Sequence, residues 1–165
     1  MIKLKTFGSF TVGNGLTSVQ EGAWRSEKLE KLFVYLAMNR NRGVCIEDIS
    51  EAIWQVEEET DNPVGALKNL AYRLRKALRD ASFGEECIVS VRGGLYKWND
   101  DVEVTIDVEE FDRYINEAEM AFCRSKETAI ESYEKAIALY HGDFLPLRTD
   151  THWFMTLNAF YHSRY

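Results

Sequence analysis

The chain has little of what several large protein classes require. Two prolines and ten glycines in 165 residues exclude a collagen-like or low-complexity chain. No run approaches the ~20 consecutive apolar residues of a membrane span. Met1-Ile2-Lys3-Leu4-Lys5 opens without the basic region, apolar core and small-residue cleavage site of a signal peptide. Three cysteines, Cys45, Cys87 and Cys123, are odd in number and form no CxxC, which fits a reduced cytoplasm better than a disulfide framework. There is no P-loop and no GxSxG nucleophile elbow. His141, His152 and His162 lack metal-ligand spacing with cysteines or acids. No constellation for catalysis, cofactor or metal remains, so a non-enzyme is expected, localised to the cytoplasm.

What is present is a globular composition, 45% hydrophobic and 28% charged, long enough for one or two domains. The net charge of −7 argues at first against nucleic acid. Its distribution says more. Residues 1–100 carry 14 basic and 14 acidic side chains, and the whole excess of acid lies in residues 101–165. Inside the neutral half, residues 62–79 hold Lys68, Arg73, Arg75, Lys76 and Arg79 and no acid.

Residues 2–24 read as a β-hairpin or small meander, with Gly13-Asn14-Gly15 as a turn. Ser26 starts a helix marked by Leu29, Leu32, Phe33 and Leu36, and Asn39 to Gly43 ends it. A shorter helix begins near Ile46 with Glu47 and Asp48 in its first turn, buries Ile46, Ile49 and Ile53, and closes at Trp54. The third helix has the clearest start, with Asn62 as N-cap and Pro63 at the first helical position. Val64, Leu67, Leu70, Ala71, Leu74 and Leu78 make its apolar stripe. Gly65, Asn69, Tyr72 and Lys76 point the opposite way, with Lys68, Arg73 and Arg79 flanking them and Arg75 nearer the apolar edge. Residues 87–98 read as a hairpin turning at Gly93-Gly94, with Arg92 and Lys97 on its arms. An acidic linker follows, then Val104-Thr105-Ile106 as a last strand. Helices then start near Asp107, near Ala129 and at Thr151. Asp107 to Tyr140 has the length of one tetratricopeptide-type helical hairpin. Cys87 and Cys123 fall in apolar patterns, which predicts buried thiols.

This order predicts an α+β winged helix-turn-helix (N-terminal sheet, three helices, C-terminal hairpin wing) over residues 1–99. An all-α tetratricopeptide-like segment follows over residues 100–165. In a helix-turn-helix the second helix of the pair enters the major groove, and it must be apolar on one side and basic or hydrogen-bonding on the other. Residues 62–79 meet that demand. A solvated basic helix beside an ordinary hairpin is the competing reading, and a protein-interaction module that no longer binds DNA is the competing function.

Three stretches carry a family resemblance. Ala71-Tyr72-Arg73-Leu74-Arg75-Lys76-Ala77-Leu78, followed by Val91-Arg92-Gly93-Gly94-Leu95-Tyr96, resembles the R-L-R-K-x-L recognition helix and V-R-G-x-G-Y wing of OmpR-type effector domains. Ile49-Ser50-Glu51-Ala52-Ile53-Trp54 resembles their second helix. Downstream, Ile106-Asp107-Val108-Glu109-Glu110-Phe111 and Leu139-Tyr140-His141-Gly142-Asp143-Phe144-Leu145 resemble the D-x-x-x-F and L-Y-x-G-x-F-L segments of the bacterial transcriptional activator domain. That succession of domains is similar to the SARP family, regulators of the AfsR/DnrI type. The resemblance departs at Leu95, which stands where the wing usually has its second glycine.

The resemblance implies a sequence-specific DNA-binding transcriptional regulator, usually an activator, bound to double-stranded DNA as a homodimer or as a tandem pair on direct repeats. Carried over by position, Gly65, Lys68, Asn69, Tyr72, Arg73, Lys76, Arg79 and Arg92 are the DNA-binding residues. Asn69 and Lys76 are the expected base readers, and Lys68, Arg73 and Arg79 the expected phosphate contacts. Glu57, Glu58 and Glu59 lie in the loop that touches RNA polymerase in OmpR-type regulators, although an acidic loop can equally serve solubility alone. Family members continue through further helical pairs. Trp153, Phe154, Leu157, Phe160, Tyr161 and Tyr165 are therefore expected to need cover from a further helix or a second subunit.

Overall fold

A computed structural model describes residues 1–55, 61–83, 86–148 and 150–165. The chain opens with a meander of β1 (Ile2–Lys5), β2 (Thr11–Gly13) and β3 (Ser18–Gln20). Strict alternation in β1 buries Ile2 and Leu4 and leaves Lys3 and Lys5 outside. Leu4 faces Val12, and Val12 faces Val19, across the antiparallel ladder. The helical section comprises α1 (Glu27–Met38), α2 (Ile46–Ile53) and α3 (Pro63–Asp80), followed by the hairpin β4 (Ile88–Val91) and β5 (Leu95–Trp98).

The expected last strand, β6 (Val104–Ile106), returns to the first sheet and pairs parallel with β1, Ile2 opposite Val104 and Leu4 opposite Ile106. The sheet order is β3-β2-β1-β6. Three helices and a hairpin make the crossover that a parallel pair requires. Helix α4 (Asp107–Ala121) follows β6 without a linker, then α5 (Lys126–Leu139) packs on α4, and α6 (His152–Arg164) packs on α2.

Asp107 explains its place at the head of the activator-like motif. Its carboxylate accepts from the Thr6 N–H at 2.8 Å, the Thr6 hydroxyl at 2.7 Å, the Phe7 N–H at 2.9 Å and the Val108 N–H at 3.0 Å. It thereby satisfies the first turn of α4 and the chain leaving β1 together. Burial pushes its carboxyl pKa up, and those donors pull against the shift.

Two expectations need correction, and α1 is more deeply buried than its apolar spacing alone implies. Helix α1 is buried on every side from Leu29 to Ala37, Glu30 and Lys31 included, because Arg148 and Asp150 pair with its polar face. The last helix finds most of its cover within the chain. Phe154 and Tyr161 are buried, Trp153 and Leu157 pack on the core, and Phe160 and Tyr165 remain exposed. Tyr161 meets Phe7, Phe111 and Phe144 in one aromatic cluster. The thiols divide, with Cys87 buried as expected and Cys123 exposed just beyond the end of α4.

Candidate nucleic-acid interface

Helix α3 starts as its sequence demands. The Asn62 side chain accepts the Gly65 N–H at 2.9 Å, and Pro63 occupies the first helical position, where a missing N–H costs nothing. A Cβ on Gly65 would stand 2.6 Å from Asn62 Nδ2, so glycine leaves room for the cap. That is a local reason for Gly65, separate from close approach to a ligand.

Leu67, Leu70, Ala71, Leu74 and Leu78 are buried and fix the rotation of the helix. Val64 departs from the predicted stripe. In the first turn it lies beyond the edge of the core and is 42% exposed. The opposite face presents Gly65, Lys68, Asn69, Tyr72, Arg73, Lys76 and Arg79 within an arc of about 140° at 100° per residue. All of these but the half-buried Gly65 are exposed. Lys68, Arg73, Lys76 and Arg79 form no ion pair with any described residue.

Arg75 belongs to the same basic run and behaves differently. Its guanidinium donates to the Ile88 carbonyl at 3.1 Å and to the Ser90 hydroxyl at 3.1 Å, and it pairs with Glu86 at 2.6 Å. It ties α3 to β4. Sequence reasoning placed Arg75 near the apolar edge of the helix but did not give it this role. The helical angle was the available signal, since a long side chain at that edge reaches the neighbouring element.

The hairpin is anchored from a second side. Tyr96 in β5 exchanges both backbone hydrogen bonds with Val44, in the loop between α1 and α2, at 2.8 and 2.9 Å. Val91 faces Leu95, so the tip is Arg92-Gly93-Gly94. Gly93 and Gly94 take φ of +85° and +76°, values that suit glycine. Leu95 therefore needs no glycine-like conformation. Its side chain packs instead against Gly43, where an added Cβ would meet it at 3.1 Å. The departure from the family wing leaves the tip to two glycines and adds an apolar contact at its base.

Arg92 is exposed at that tip. Lys97, the other basic residue of the hairpin, is held by Asp100. A cleft of about 240 Å³ separates α3 from the hairpin and is lined by Lys68, Arg75, Ser90 and Gly94, among others. The structure thus brings six side chains of α3 to one surface, with the hairpin beside it. Glu57, Glu58 and Glu59 lie outside the described residues. Among the described residues no cluster of histidine, cysteine and acids could hold a metal ion. No helix among them is long and apolar enough to cross a membrane.

Comparison with known proteins bears on this surface. Residues 21–98 match the family described as "Transcriptional regulatory protein, C terminal". That family is the OmpR-type winged-helix domain of DNA-binding transcription regulators, and the matched stretch, just under half of the chain, runs from before α1 through the hairpin. A solved structure of Mycobacterium tuberculosis EmbR, in complex with a low-affinity phosphopeptide, superposes with a TM-score of 0.79 over 99% of this chain at 18% identity. At that identity the likeness is one of fold, and it runs through α4, α5 and α6 as well as the winged helix. The chain spans 42% of that protein's length. No curated protein sequence matches the chain.

Proposed function

We propose that this chain is the promoter-binding part of a transcriptional regulator, most simply an activator, with α3 in the major groove and the hairpin against the backbone or minor groove. The observation that carries this reading is the α3 face. Four cations without an acidic partner among the described residues stand together on a protein whose net charge is −7. Unpaired cations on one helix face are what a polyphosphate partner needs, since each neutralised phosphate releases a counterion. Asn69 and Lys76 lie in the middle of the arc and read bases. Lys68, Arg73 and Arg79 hold phosphates, and Tyr72 serves either purpose. Exposed Val64 beside Lys68 offers an apolar surface for a thymine methyl group.

In this reading residues 1–99 form the docking unit and residues 100–165 form part of a tetratricopeptide-like activator domain that contacts a second subunit or RNA polymerase. Glu57, Glu58 and Glu59 are candidates for the polymerase contact. Binding is by homodimer or tandem pair, with half-sites one helical turn, about 10–11 bp, apart. No catalytic step and no cofactor is assigned.

The test is selection from a random duplex library, followed by binding across a salt series. Enriched sites, with log K falling by about 0.9 per phosphate contact for each tenfold rise in salt, support the proposal. A folded protein that enriches no sequence and shows no salt-dependent binding overturns it. An acidic interaction module would then be the better description.

A further inference from the structure

A cleft of about 540 Å³ opens between the C-terminal end of α1, helix α2 and helix α6. It falls within the size range of small-molecule sites. Its walls are fixed relative to each other, because the Thr151 hydroxyl at the head of α6 donates to the Ala52 carbonyl of α2 at 2.8 Å. One wall is aromatic. Tyr35 and Trp153 meet edge to face at 4.9 Å between ring centroids.

The polar groups facing the cleft are unbalanced. Asp48 and Glu51, three residues apart on α2, both line it. The Arg42 guanidinium comes no nearer to Asp48 than 3.9 Å, since the Asn39 side chain holds it through hydrogen bonds of 3.2 and 3.0 Å. Glu51 has no ion-pair partner among the described residues. Two carboxylates thus share one distant cation, with His152 at the rim.

An independent observation points to an occupant. Tyr35 is 4% exposed, lines the cleft, and its hydroxyl makes no hydrogen bond with any described residue. The ring is buried while its oxygen opens to the cleft, where a donor on a ligand can reach it. Burial, and then the Asp48 carboxylate, push its pKa up, so the hydroxyl keeps its proton and its oxygen remains a neutral acceptor.

The geometry points to a binding site for a small organic cation, an ammonium or amidinium group on a flat apolar body, with the charge between Asp48 and Glu51 and the body against Trp153 and Tyr35. One N–H of the cation would donate to the Tyr35 hydroxyl oxygen and others to the two carboxylates. The ring faces add cation–π attraction. An anion is disfavoured by the carboxylates, and a neutral aromatic would leave them unpaired. Because the walls belong to α2 and α6, an occupant would bridge the helix-turn-helix and the C-terminal helices. None of the residues lining the site belongs to α3 or the hairpin, and the site does not depend on DNA binding.

The full chain can be titrated with benzamidinium, using its neutral isostere benzamide as control. The readout is the indole N–H resonance of Trp153, identified with Trp153→Phe. A saturable shift with benzamidinium and none with benzamide is expected. Glu51→Gln and Asp48→Asn, both exposed and tolerant of change, should each weaken binding by about two- to fivefold, as for one partly exposed charge contact. Tyr35→Phe should weaken it by a similar factor. Equal shifts with benzamide overturn the proposal. So does benzamidinium binding that Glu51→Gln leaves unchanged, or an unmoved Trp153 signal at about 10 mM ligand, ten times a millimolar dissociation constant.

Discussion

Two groups of basic residues in this chain share one chemistry and meet opposite fates. On α3, Lys68, Arg73, Lys76 and Arg79 stand exposed without an acidic partner among the described residues. Where Arg148 and Asp150 meet α1, Arg148 is 4% exposed and Lys31 2%. Arg148 pairs with Glu30, itself 2% exposed, and reaches Glu21 at 3.3 Å and Glu27 at 3.4 Å, while Lys31 pairs with Asp150. A buried cation must be matched by acid or it does not stay charged. An exposed one with no partner is kept in water for something that arrives. The first arrangement joins the C-terminal segment to α1, and the second leaves its charges open to solvent. Neither residue type nor local charge density separates the two. What separates them is whether acid has been supplied nearby.

The comparison breaks most visibly at Arg148. Arg148→Ala leaves Glu30 buried beside the Gly22 N–H that it accepts at 2.7 Å, with no cation to balance it. Removing one partner of a buried pair costs about 3–5 kcal/mol. Urea unfolding should show that loss as a lower midpoint. The double variant Arg148→Met/Glu30→Gln, which keeps an acceptor for Gly22 and removes both charges, should recover more than half of it. If Arg148→Ala costs under about 1 kcal/mol, the cluster contributes no more than a surface ion pair does.

On the other side of the comparison, Asn69→Ala should leave the fold unaffected, since exposed substitutions usually stay within about 0.5 kcal/mol. It should cost about 1–3 kcal/mol of discrimination at one base of the selected site. Competition between the selected duplex and single-base variants reads this directly. Uniform loss across all duplexes would reassign Asn69 to the backbone.

How far these two groups could be foreseen depends on the distance over which each is determined. Helix α3 was legible because its signals are local: Asn62 and Pro63 at the start, an apolar stripe at helical spacing, and an acid-free run on the opposite face. The hairpin was legible through Gly93-Gly94, and its glycines do take positive φ. The partner of β6 was not, since β1 lies about a hundred residues away and nothing in Val104-Thr105-Ile106 names it. Burial of Glu30 and Lys31 was equally hidden. Helical periodicity assigns both to solvent, and the cover arrives from Arg148 and Asp150. For the same reason the last helix looked barer than it is: its partners Phe7, Phe111 and Phe144 lie in three other parts of the chain.

The finest division runs within α3, between Arg73 and Arg75, two residues apart. Arg73 points outward with no described residue holding it, whereas Arg75 is committed to Glu86, Ile88 and Ser90. Arg73→Ala should weaken binding to every duplex alike and reduce the salt slope by about one phosphate contact, without changing stability. Arg75→Ala should do the reverse. It removes the tie between α3 and the hairpin, taking one donor from the carbonyl of buried Ile88 and one from the exposed Ser90 hydroxyl, where water replaces part of what is lost, so the cost to stability is about 1 kcal/mol. The salt slope should stay within error, because the guanidinium was already neutralised by Glu86 and releases no counterion. Affinity should still fall slightly for long sites that the wing reaches, and not for short ones covering α3 alone. If Arg75→Ala instead flattens the slope as Arg73→Ala does, its pairing with Glu86 yields to a phosphate when DNA is bound. The division between paired and free cations would then describe only the unliganded protein.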